Sequence, residues 1–197
     1  ESVIGYFSGQ FNGRGHLING LTINGYYHPE PYYGIYTSDV GLFGCIDTDG
    51  WVEKLGLINT DLYGMCQVGS VAGENNGTIR QCYADGYVTA SGAVGGIAGM
   101  NGYYRPYHPN TRILESYSEV SVYGEGDELY TQRFLGGIAG GNMGLVQTCY
   151  STNIYQTDPP PMGYEHVTGG IVGYSPGGMV IDCFYRQTSP METLLGT

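Results

Sequence analysis

The sequence predicts an all-β chain wound into a parallel β-helix, expected right-handed, of about five coils. Three observations lead there. A phrase made of a small or aliphatic residue, Gly, an apolar pair and Gly returns five times, at 40–44, 68–73, 94–99, 135–140 and 168–173. A second phrase follows each one, an aliphatic residue and then a small or apolar residue three positions on: Val52/Leu55, Ile79/Cys82, Ile113/Ser116, Val146/Cys149 and Val180/Cys183, with an aromatic next in four of the five. The closing glycines Gly44, Gly73, Gly99, Gly140 and Gly173 are 29, 26, 41 and 33 residues apart, a period of about 26 with insertions.

A fixed period of this size means one supersecondary unit per repeat, which buries its apolar side only by stacking on its neighbours. Short runs of Gly, Val, Ile, Tyr and Thr, broken by Gly, Asn and Asp, are strand and turn chemistry. With 35 Gly and 9 Pro in 197 residues, and no apolar spacing of 3.6 sustained over three turns, long helices are disfavoured. Strands stacked in register rise by about 4.8 Å per coil. Inward positions then become ladders: Ile97, Ile138 and Ile171 form one, and Leu55, Cys82, Ser116, Cys149 and Cys183 another. Ala72, Ala98 and Ala139 leave room where each coil bends. The chain divides into a lead-in segment 1–39, repeats 40–67, 68–93, 94–134, 135–167 and 168–189, and a tail 190–197, all in one domain.

The phrases Val-Gly-Leu-Phe-Gly at 40–44, Val52-Glu-Lys-Leu-Gly-Leu57, Gly95-Gly-Ile-Ala-Gly-Met-Asn101 and Gly73-Glu-Asn-Asn-Gly-Thr-Ile-Arg-Gln-Cys-Tyr83 resemble the bacterial GLUG repeat. The opening run Phe11-Asn-Gly-Arg-Gly-His-Leu-Ile-Asn-Gly-Leu-Thr-Ile23 is similar to the segment that precedes such repeats. The resemblance covers roughly residues 5 to 189. It implies a β-helix on an extracellular or cell-surface bacterial protein, without catalytic residues in the repeats. The chain departs from the pattern through Tyr- and Pro-rich insertions.

Composition narrows the function classes. The net charge is −11 with one Lys, Lys54, and six Arg, which leaves no basic surface for phosphate backbones and argues against nucleic acid as a partner. No apolar run approaches membrane-spanning length, so no membrane insertion is expected of this segment. The sequence starts in mid-phrase at Glu1, as expected of a processed chain or a segment of a longer one. Cys45 and Cys66 fall on the order of 20 Å apart in a stacked register, too far to bridge. Cys82, Cys149 and Cys183 share the inward ladder as small buried apolar residues.

The candidate binding or assembly residues are the insertion tyrosines Tyr26, Tyr27, Tyr32, Tyr33, Tyr103, Tyr104, Tyr107 and Tyr164, together with Leu194 and Leu195 of the tail. Tyr supplies rigid amphipathic contact area. Asp47 and Asp49, ahead of Gly50, are a partial calcium shell without the remaining ligands of a standard loop. No cofactor is expected. Asn76-Gly-Thr78 is a glycosylation sequon that also suits a turn. A β-helical polysaccharide enzyme would repeat acidic residues at one outward offset. The two offsets after the aliphatic residue read Glu53, Arg80, Leu114, Gln147, Ile181 and Lys54, Gln81, Glu115, Thr148, Asp182, which suggests Glu53–Arg80 and Lys54–Glu115 surface pairs rather than a paired-carboxylate centre. The expected function is a non-catalytic extracellular structural module that assembles with copies of itself into a filament through open ends, tail and Tyr-rich loops. The alternatives are a stalk or ligand-binding domain of a larger bacterial adhesin, contacting surface proteins or glycans, and a polysaccharide-active enzyme.

Overall fold

Four stacks of short strands, joined at tight corners, make up each turn of the chain. The computed structural model describes residues 2–25, 39–102, 108–125, 132–152, 155–157, 165–186 and 193–195, with backbone alone at 155–157, 165 and 193–195. The described strands fall into an 11-stranded and a 12-stranded parallel sheet, and no helix occurs among the described residues. The first sheet holds two stacks. One contains Asp39–Val40, Gln67–Gly69, Ala93–Gly95 and Gln132–Gly136; the other contains Ile4–Phe7, Phe43–Ile46, Ala72–Asn75, Ala98–Asn101 and Ala139–Asn142. Glu165–Tyr174 runs through both. In the second sheet Gln10–Asn19 and Trp51–Gly64 run through two stacks. One continues with Thr78–Arg80, Arg112–Leu114, Leu145–Gln147 and Met179–Ile181, the other with Tyr83–Ala90, Tyr117–Gly124, Tyr150–Ser151 and Phe184–Tyr185. The architecture is a parallel β-helix.

The repeat phrases are the register. Val40, Val68, Val94, Leu135 and Thr168 pair in succession, as do Val52, Ile79, Ile113, Val146 and Val180. Ile97, Ile138 and Ile171 are fully buried in one ladder, joined by Ile97 N–H to Ile138 O and Ile138 N–H to Ile171 O at 3.0 and 2.8 Å. Ala72, Ala98 and Ala139 stack between Phe43 and Val172.

The rod has six layers rather than five, because the lead-in builds one of its own. Ile4–Phe7 pairs with Phe43–Ile46, and Gln10–Asn19 and Thr22–Asn24 pair with Trp51–Gly64. This coil lacks the Gly-apolar-apolar-Gly phrase that marks the others. It fills the core differently, with the Phe7 and Phe11 rings packed on Phe43 at 4.9 and 5.6 Å.

The three-residue step in the second phrase has a backbone cause. Arg14, Lys54, Gln81, Glu115, Thr148 and Asp182 take φ values of 48–54°, one at the same corner of every coil. A left-handed residue there adds one position between two inward side chains, so Val52 and Leu55 both face the core although an unbroken strand would point them to opposite faces. Non-glycine residues in this region are strained, and a β-branched one most of all. Thr148→Gly is therefore expected to stabilise the fold by about 0.5–1 kcal/mol, raising the thermal midpoint by roughly 1–4 °C. A lower midpoint in a calorimetric melt would refute the left-handed corner.

Candidate functional site

The insertion tyrosines Tyr26, Tyr27, Tyr32, Tyr33, Tyr103, Tyr104, Tyr107 and Tyr164 lie outside the described residues. Leu194 and Leu195 belong to the strand Thr193–Leu195, which pairs with Glu165–Tyr174 of the last coil. The tail strand thus lies along the last coil of its own chain. Asp47 and Asp49 flank a tight turn closed by Gly50 N–H to Asp47 O at 2.7 Å. Among the described residues no group of three or more His, Cys, Asp or Glu side chains is placed to hold a metal ion. The sequon residue Asn76 is buried, and its amide donates to Glu74 Oε1 at 2.5 Å.

The inward ladder holds Leu55, Cys82, Ser116 and Cys149 at 1–3% exposure, with Cys183 half-buried in the last coil. It is linked vertically: Cys82 N–H donates to Ser116 Oγ at 3.2 Å and Cys149 N–H to Cys183 Sγ at 3.4 Å. All five cysteines are free thiols. Burial raises the Cys82 thiol to about 11, and burial with the Glu74 charge raises Cys45 to about 12. The Cys149 thiol, held up by its hydrogen bond to Cys183 and by burial, brings Cys183 down to about 7. Cys183 is the most readily ionised of the three ladder thiols.

Three constellations escaped the sequence reading. The first is a buried asparagine ladder: Asn75 Nδ2 donates to Asn101 Oδ1 at 2.7 Å, Asn101 Nδ2 to Asn142 Oδ1 at 2.8 Å, and Asn142 Nδ2 to Ser175 Oγ at 3.3 Å. Its signal was present, a polar residue two positions after the closing glycines Gly73, Gly99, Gly140 and Gly173.

The second is a pair of carboxylates on neighbouring coils. Asp85 and Glu119 are in register on the outer face. Each stands two residues after an aromatic of the stacked column Tyr83, Tyr117 and Tyr150, whose rings are 5.4 and 5.2 Å apart. Tyr83 Oη lies 3.0 Å from Asp85 Oδ2 and 2.8 Å from Glu119 Oε2 and shares its one proton between them, while Tyr117 Oη donates to Glu119 Oε1. Asn59 N–H supplies Asp85 Oδ1 at 2.6 Å. All four carboxylate oxygens are thus engaged within the chain, and burial together with these hydrogen bonds raises both phenols above the ordinary tyrosine value. The pair staples strands together.

The expected surface pairs also differ. Arg80 bridges to Glu115 at 3.1 Å, not to Glu53, and Lys54 lies 3.9 Å from Glu53. Glu53 is only 8% exposed and takes the Asn12 amide, so it is turned toward the preceding coil, while the left-handed corner brings Glu115 beside Arg80. Exposed pairs of this kind contribute at most about 1 kcal/mol.

The third constellation is a groove of about 340 Å³ on the flank of the rod. Gln10, Trp51, Thr78 and Arg112 line it from one outward position in four successive coils, with Asp49 and Arg80 beside them. Asn110 fixes its rim: the Asn110 side-chain amide donates to Thr48 O at 3.1 Å, and the Asn110 carbonyl accepts the Thr78 hydroxyl at 3.1 Å.

The fold and its outer faces define a β-helical repeat protein. No family model matches the sequence. Over 93 residues, 47% of the chain, it is 41% identical to halomucin of Haloquadratum walsbyi (strain DSM 16790 / HBSQ001), of whose length it covers 1%. In fold it is similar to a Bacteroides ovatus protein whose crystal structure is described as that of a candidate immunoglobulin A1 protease. The TM-score is 0.61 at 19% identity, over 93% of this chain and 62% of that one. No helix among the described residues is long and apolar enough to cross a membrane.

Proposed function

We propose that the chain is a non-catalytic rod segment, a stalk, of a larger extracellular or surface-displayed protein, with repeats of the GLUG type. The observation that carries this reading is the parallel stacking of six coils on one core, from Ile4 to Tyr185, in register apart from irregularities at Asn12/His16 and Ala84/Gly86. Such a body holds whatever it joins at a fixed distance along one axis. The net charge of −11 and the match to a short stretch of a very long protein named halomucin support the location. Four acidic groups of the outer faces support a non-catalytic reading. Glu115 is ion-paired, Glu53 is nearly covered, and Asp85 and Glu119 spend their oxygens on intrachain hydrogen bonds.

A filament is the second reading, favoured by one observation: Met179, Ile181 and Phe184 of the last coil are 58, 38 and 68% exposed. Sedimentation at high concentration with negative-stain microscopy separates the two. A monomeric rod supports the stalk, and end-to-end rods that disperse on Phe184→Ser replace it with the filament. Release of sugar from a panel of polyuronates and neutral glycans would overturn both.

A further inference from the structure

The geometry points to the flank groove as a binding site for an acidic sugar, a glycan segment of the uronate type, a role beyond that of a spacer. Its volume of about 340 Å³ falls in the range of small-ligand sites. Its four in-register positions span about 14 Å along the rod. The rim is built in advance by the hydrogen bonds of Asn110, so little ordering is left to binding.

The lining chooses the ligand. Trp51, the single tryptophan of the chain, gives a half-buried aromatic wall, and its indole Nε1 has no hydrogen-bond partner among the described residues. Arg112 is the available cation. Among the described residues its Nη2 reaches only Asn110 Oδ1, at 3.4 Å, its Nε is buried without a partner, and neither ion pair includes it. Arg80, by contrast, is already committed to Glu115.

In a chain with 18 acidic and 7 basic residues, a guanidinium lining a groove without a carboxylate partner among the described residues is an anion site. Asp49, on the same groove, repels a compact dianion such as phosphate but accepts from hydroxyls, as do Gln10 and Thr78. A glycan whose ring in the groove carries one carboxylate, several hydroxyls and an apolar face meets all of these groups at once, its neighbouring rings lying beyond Asp49 and Arg112.

Because Trp51 is the only indole, its fluorescence reports directly on the groove. The folded protein is titrated with a tetrameric oligoglucuronate, a cello-oligosaccharide of equal length and inorganic phosphate. Saturable change with oligoglucuronate alone is expected, weakening as salt rises. Arg112→Gln should reduce the affinity about tenfold or more. Arg186→Gln, an exposed charge at the far end of the rod, should leave it unchanged, with circular dichroism melts confirming that both variants fold. No saturable change with oligoglucuronate, equal binding of the neutral oligomer, or equal losses in the two variants would each overturn the assignment. A spacer without this site would still be a monomeric rod by sedimentation, so the failure of one reading is distinguishable from the failure of the other.

Discussion

Gly136→Ala is expected to destabilise the protein by about 3 kcal/mol or more, lowering the thermal midpoint by roughly 6–12 °C. A Cβ at this position would lie 1.8 Å from the Ala139 carbonyl oxygen, and 2.7 Å from both the Ala139 carbonyl carbon and the Gly173 nitrogen. All three are backbone atoms, and the strand Gln132–Gly136 is bonded on both sides, to Ala93–Gly95 and Glu165–Tyr174, so relief requires displacing a coil. Gly5→Ala is the matched control, since nothing lies within 4 Å of a Cβ there. Equal midpoints for the two variants would show that the strand-to-strand approach at Gly136 is not as described.

The same geometry explains why the fold was readable from the sequence. In the phrase Gly-Gly-Ile-Ala-Gly each glycine is excluded from bearing a side chain for its own reason. The first, Gly95 or Gly136, faces a carbonyl of its own coil. The second, Gly96 or Gly137, faces Ser118 or Ser151 Oγ of the opposite sheet, at 1.9 and 2.0 Å from a would-be Cβ. The third, Gly99 or Gly140, abuts the Val68 or Val94 nitrogen at 2.5 Å. A constraint that recurs once per coil leaves a periodic mark, and the period gave the architecture and register. The lead-in coil was missed because Phe7 and Phe11 solve the same packing problem with bulk, which leaves no glycine signature.

The outer faces were less legible. Register assigns a residue to the outside, but its partner depends on the corner geometry, and the left-handed corner redirected Arg80 to Glu115. Asp85 and Glu119 carry no signal at the offsets just after the aliphatic residue, because the pair sits beyond the aromatic column. The groove joins Asp49 of one coil and Asn110 of another across an intervening coil, at separations that no local motif encodes.

Asn101→Asp should destabilise the rod strongly at neutral pH, by about 3 kcal/mol or more, and much less in acid. Asn101 is fully buried, accepts from Asn75 Nδ2 through Oδ1, and donates through Nδ2 to Asn142 Oδ1 and to Leu145 O at 3.3 Å. An ionised aspartate keeps the acceptor but sets a second oxygen against two other acceptors, with burial opposing its charge. Both effects favour the neutral acid in the folded state, so its folded pKa lies above the unfolded value of about 4. The variant then binds more protons folded than unfolded, and its stability relative to the parent falls as pH rises through that interval. Below it, the carboxylic O–H donates to Asn142 Oδ1 and restores the ladder. Asn101→Ala removes the link without a charge, leaves Asn75 bonded to Gly77 O and Arg112 O, and should cost about 2–4 kcal/mol at any pH. The measurement is the midpoint difference from the parent at about pH 4 and pH 8, which straddle the expected shift. Equal differences for Asn101→Asp at the two values would mean that residue 101 is not at the buried centre of the ladder.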